Sequence, residues 1–78
     1  MPRYYFDTRE NGNLITDEIG VDLPGIEAAR NEAARSLAEL ALDVLPSTVR
    51  KELAVEVRDE SHPVVRATLT FEAELVDA

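Results

Sequence analysis

The chain has 78 residues, which allows one hydrophobic core and one domain spanning residues 1–78. Sixteen acids against seven Arg and a single Lys, Lys51, leave a net charge of −8, which argues against a phosphate-neutralising surface or an anionic-membrane face. With no Cys there is no disulfide framework, thiolate metal site or thiol nucleophile, and no apolar run approaches the ~20 residues that cross a bilayer.

The first segment, Arg3 to Arg9, alternates. Tyr4, Phe6 and Thr8 fall on one side and Tyr5, Asp7 and Arg9 on the other, so Tyr4 and Phe6 are assigned to the core and the charged row to solvent. Glu10-Asn11-Gly12-Asn13 follows. Asn-Gly is the preferred centre of a type I′ turn, because both residues tolerate positive φ, so Asn13 to Asp17 is expected to return as the second strand of an antiparallel hairpin. Asp17 to Gly25 is less regular: Gly20 marks a bend or bulge, Val21 and Leu23 continue an alternation, and Pro24-Gly25 stops it.

From Ile26 to Leu45 there is no Gly or Pro, and Ala, Leu, Glu and Arg dominate. Ile26, Ala29, Ala33, Leu37, Leu40, Ala41 and Val44 recur at spacings of three and four, the apolar stripe of an amphipathic helix that Pro46 brings to an end. Two strands close the chain. Leu53, Val55 and Val57 alternate with Glu52, Ala54, Glu56 and Arg58 between Glu52 and Asp59, and Val65, Ala67, Leu69 and Phe71 alternate with Arg66, Thr68, Thr70 and Glu72. Ala73 to Ala78 either extends the last strand or frays. The fold class is α+β with order β-β-α-β-β: a small, mainly antiparallel sheet carrying one helix on one face.

Chemistry is sparse. The single His, His62, sits in a turn between Ser61 and Pro63, so it reads as solvated loop rather than catalyst, and no enzymatic activity is expected. Asp17, Glu18 and Asp22 cluster near Gly20 without the ligand spacing of a calcium loop, so neither metal nor cofactor is expected. What remains is the uncovered sheet face, where Arg3, Tyr5, Arg9, Arg66, Thr68 and Thr70 form the candidate interaction surface. A non-enzymatic protein-interaction or regulatory module is the leading reading. Its expected partner is another protein or a second copy of itself, since one helix serving four strands leaves burial that dimerisation would supply. The competing reading is a nucleic-acid or ligand-binding domain that stacks and pairs through the same residues; nucleic acid is not expected at this net charge. The expected location is cytoplasmic, since the N-terminus has no long apolar stretch.

Met1-Pro2-Arg3-Tyr4-Tyr5-Phe6-Asp7, the Asn11-Gly12 turn, Asp17 to Pro24 and the Ala-rich Glu27 to Ala33 together resemble a family of short bacterial proteins, found mainly in rhizobia and related alphaproteobacteria and defined as a domain of unknown function. The resemblance covers nearly the whole chain, implies a bacterial protein, and carries over no catalytic residues. A weaker likeness links Asp22-Leu23-Pro24-Gly25 and the helix after it to HicB-type antitoxins, small acidic domains that neutralise an RNA-cleaving toxin.

Overall fold

The computed structural model describes residues 1–77. Its elements run β1 (Arg3–Glu10), β2 (Asn13–Ile15), β3 (Val21–Asp22), α1 (Ile26–Val44), β4 (Arg50–Arg58) and β5 (Pro63–Glu72), with one 3₁₀ turn at Leu45–Ser47 after the helix. The sheet order is β2-β1-β4-β5 and every neighbouring pair is antiparallel. The fifth, two-residue strand β3 pairs with β1 on the same side as β2, Arg3 opposite Asp22 and Tyr4 opposite Val21. The first strand is therefore flanked on one side by two short pieces, separated by a loop over residues 16–20, and on the other by β4.

The hairpin has the chemistry its sequence calls for. Asn11 and Gly12 both hold positive φ, 50° and 91°. The turn is also tied to β4, because Asn11 N–H donates to the Glu52 carbonyl at 2.8 Å and Glu52 N–H donates to Asn11 Oδ1 at 2.7 Å. The returning strand stops at Ile15, short of Asp17.

The helix covers one face. Its small buried residues, Ala29 and Ala33, meet the sheet where the approach is closest, and Leu37 fills the space further along. Opposite them lie Leu53, Val55 and Val57 of β4, each at most 2% exposed, with Tyr4 of β1. Phe6, Leu40, Ala41, Val44, Val65 and Leu69 pack around that centre. Ile26, at the head of the apolar stripe, stands 55% exposed, although Ala29 in the same turn is fully buried. Pro46 sits within the 3₁₀ turn, so the helix tightens before it ends.

The chain is not fully wrapped. Its radius of gyration is 14.2 Å, against about 11.5 Å for a compact domain of this length. Residues 73–77 have no regular structure, and beyond Ala73, whose N–H still donates to the Val49 carbonyl, Leu75 and Val76 are exposed.

Candidate functional site

Strand register settles which side chains share the face that carries no helix. Tyr5 lies opposite Arg58, Asp7 opposite Glu56 and Arg9 opposite Ala54. Across β4, Ala54 lies opposite Thr68, Glu56 opposite Arg66 and Glu52 opposite Thr70. All six candidate residues thus fall on one face. Four of them, Arg9, Arg66, Thr68 and Thr70, ring one shallow depression of about 210 Å³ floored by Ala54, smaller than the roughly 300–1,000 Å³ of typical small-molecule sites. Arg3 and Tyr5 sit elsewhere, beside β3 and Arg58.

The cations on this face are engaged. Arg9 and Arg66 both contact the Glu56 carboxylate, at 3.3 and 3.4 Å. Arg3 Nε donates to Asp22 Oδ1 at 3.0 Å, and its Nη1 donates to the Ile19 carbonyl at 3.1 Å. Arg50 pairs with Glu72 at 2.6 Å, and on the opposite, helix-bearing face Lys51 pairs with Glu10 at 3.2 Å. On the helix, Arg30 and Arg35 pair with Glu27 and Glu32. With Arg58 on Asp7, every basic side chain of the chain lies within reach of one of its own carboxylates.

The face is also not uncovered along its whole length. Asp7, expected in the solvated charged row, is 8% exposed because the 16–20 loop folds back over it. Arg58 donates to Asp7 through Nε at 2.9 Å and to the Asp17 carbonyl through Nη2 at 2.8 Å. Asp17 N–H donates to Asp7 Oδ1 at 2.9 Å, so Asp7 holds both the arginine and the loop. The Asp17 carboxylate accepts in turn from the N–H groups of Phe6, Ile19 and Gly20 at 3.0–3.2 Å. The Arg58 guanidinium stacks 4.5 Å above the Tyr5 ring. Gly20 closes the other side at φ +76°, where a Cβ would stand 2.8 Å from Tyr5 Cε2 and 2.9 Å from Arg3 Cγ. Tyr5 is therefore half-buried between Arg58 and Gly20 rather than a free stacking platform.

The lock has a pH signature. Partial burial opposes charge on Asp17, but the three backbone donors and Arg58 outweigh it and hold the carboxyl below its ordinary value. The Arg3 hydrogen bond lowers Asp22, and backbone donors at His62 and Ser61 lower Asp59. Each folded value lies below the unfolded one, about 3.9 for Asp. The stability each contributes is complete above that value and is lost as pH falls through the folded one. Unfolding free energy should thus fall as pH drops below about 4, and the Ile19 and Gly20 amide resonances should titrate with midpoints under 3.9. Midpoints at or above the unfolded value would contradict the lock.

The second feature is an edge. β1 is flanked on both sides and β4 lies inside the sheet, but the ten-residue β5 pairs only with β4. Ala73 N–H donates to the Val49 carbonyl at 2.8 Å, and alternation along an antiparallel ladder then turns the N–H and C=O of Arg66, Thr68, Thr70 and Glu72 toward the free side. Beside this edge, on the helix face, runs an apolar groove lined by Ala38, Ala41, Leu42, Leu45 and Phe71. Leu42 in it is 76% exposed. The sequence had marked Thr68 and Thr70 as surface residues but not this groove, because Leu42 lies off the main stripe of α1.

A helix laid on one face of an antiparallel sheet, with an ion-paired opposite face and a long unpaired edge at β5, places the chain among small α+β domains. Its sequence matches the model of the domain of unknown function DUF6894 over residues 3–70, and the chain belongs to that family. No curated protein and no solved structure matches it. Among the described residues no helix is long and apolar enough to cross a membrane, and no group of three or more His, Asp or Glu residues is placed to hold a metal ion.

Proposed function

We propose that this protein is a non-enzymatic interaction module of the bacterial cytoplasm that binds protein through the outer edge of β5 and the groove beside it, in a regulatory role. The observation that carries the reading is a ten-residue strand with no neighbour on one side, lying next to an apolar groove with an exposed leucine. An extended segment added there gains main-chain hydrogen bonds from the strand and apolar burial from the groove. The likeness of Asp22-Leu23-Pro24-Gly25 to HicB-type antitoxins is in keeping with this, since those are acidic domains that act by gripping another protein.

The competing use of the open face, nucleic-acid or ligand binding through Arg3, Tyr5, Arg9, Arg66, Thr68 and Thr70, has less support. Phosphates would have to displace Glu56 from Arg9 and Arg66 and Asp22 from Arg3, against a net charge of −8. Tyr5 offers no free ring face on the side that Arg58 occupies.

Capture from a cell lysate separates the readings. The proposal expects proteins that bind the wild-type chain to be lost with Thr68→Pro, which removes an edge N–H without touching the β4 ladder, and retained with the triple variant R3A/R9A/R66A. Oligonucleotide binding that falls steeply with salt and disappears in the triple variant would overturn it.

A further inference from the structure

Resting on that reading, we propose that the partner on the β5 edge is a second copy of this chain, paired antiparallel about a two-fold axis at Leu69. Only Arg66, Thr68, Thr70 and Glu72 and their even-numbered neighbours turn their main-chain groups outward, so a symmetric pairing must set even residues against even ones. Centred on Leu69, it sets Thr68 opposite Thr70 of the second copy and Arg66 opposite its Glu72, each contact occurring twice.

Those charges suit one another. Arg66 and Glu72 are 67% and 57% exposed, and each already has an opposite charge inside its own chain, Glu56 and Arg50. Pairing across the axis joins these into one alternating row on the open face: Arg9, Glu56 and Arg66 of one copy, then Glu72 and Arg50 of the other. Opposite charges directly across strands, and threonine pairs, stabilise an antiparallel ladder. A register centred on Arg66 would instead face arginine with arginine.

The helix side agrees. Leu69 and Phe71 both line the apolar groove. A two-fold axis perpendicular to the sheet at Leu69 brings the two grooves together, so the exposed Leu42 of each copy approaches the other's helix end. The same register runs residues 73–75 of one copy alongside Pro63–Val65 of the other, covering part of the extended tail. Area points the same way. The chain exposes 5545 Å², roughly 850 Å² more than the ~4,700 Å² usual for a monomer of its mass, and a standard stable interface removes about 800 Å² per partner.

The test is sedimentation velocity from low-micromolar to submillimolar concentration, with crosslinking to fix the register. Wild type should sediment at twice the 8.6 kDa chain mass, and Thr68→Pro or Leu42→Asp should each weaken the dimer by roughly tenfold or more. Should Thr68→Pro disturb folding by circular dichroism, Leu42→Asp decides, since its side chain is exposed. The chain has no cysteine of its own, so Leu69→Cys should form a disulfide-linked dimer on mild oxidation, the facing Cα atoms being about 4.5 Å apart in such a pair. Ala67→Cys and Phe71→Cys should crosslink only when mixed. A wild-type monomer at every concentration overturns this inference, as does a dimer indifferent to both substitutions or crosslinking through Ala67→Cys alone. Loss of captured proteins with Thr68→Pro while the wild type is monomeric would leave the interaction reading standing with a different partner. No edge-dependent binding of any kind would remove both.

Discussion

Asp7→Ala should lower the melting temperature by about 10 °C or more and release the 16–20 loop from the sheet. The carboxylate accepts from Arg58 at 2.9 Å and from the Asp17 N–H at 2.9 Å, beneath a loop that leaves it 8% exposed. Its removal takes the carboxylate from Arg58, which keeps its bond to the Asp17 carbonyl, and leaves the Asp17 N–H without its acceptor, a loss of roughly 2 kcal/mol dominated by the charged hydrogen bond and the unpaired amide. A chain of this size has only about 4–12 kcal/mol in total, and each kcal/mol moves the midpoint of so small a domain by about 4–8 °C. Asp7→Asn keeps an acceptor for the Asp17 N–H but gives up the charge facing Arg58, so it should fall between the two. Amide exchange gives the spatial check: Phe6, Ile19 and Gly20, whose N–H groups donate to Asp17, should lose protection before Val55 or Val57. A melting temperature within two or three degrees of wild type would mean that the loop is held by something other than Asp7.

That lock was hidden in the sequence for a physical reason. A period of two along β1 assigns Asp7 to the polar row with Tyr5 and Arg9, and the register confirms that row. What period cannot say is whether a later segment returns to cover it. A local signal was present in Asp17-Glu18-Ile19-Gly20, the spacing at which an aspartate accepts from backbone N–H groups two and three residues on. The long-range half, Asp17 meeting Asp7 and Arg58, depends on strand order. Elsewhere local chemistry was enough: Asn11-Gly12 made its positive-φ turn, and Leu53, Val55 and Val57 went inside because every second residue of β4 is apolar. The alternation at Val21 and Leu23 pointed to extended chain around β3, but so short a run carries no signal for its pairing with Arg3 and Tyr4 of β1. The free edge of β5 was equally invisible, since nothing in 63–72 records that its outer side has no neighbour. The six open-face residues were placed on one surface by alternation alone, yet alternation gave no hint that Glu56 binds both Arg9 and Arg66.

Leu53→Ala and Leu42→Ala, the same chemical change at two depths, should part by about 2.5 kcal/mol or more. Leu53 is 2% exposed at the centre of the face that α1 covers, where its side chain packs against residues that are themselves closely held. Truncation there removes transfer energy and leaves a cavity, costing about 3 kcal/mol, which is a large share of the stability available and should lower the melting temperature by about 12–24 °C. Leu42 is 76% exposed, so in an isolated chain its truncation should stay within about 0.5 kcal/mol of wild type. The two differ again in how they respond to concentration. If two copies meet at Leu69, wild-type stability rises with protein concentration by mass action, and Leu53→Ala preserves that slope while lowering the whole curve. Leu42→Ala should do the reverse, leaving the dilute-limit stability alone and flattening the slope. Thermal melts of the three chains over a wide concentration range therefore read the core and the edge separately. A steep slope surviving in Leu42→Ala would place the association surface away from the groove, and a large loss at dilute concentration would show that Leu42 supports the core after all.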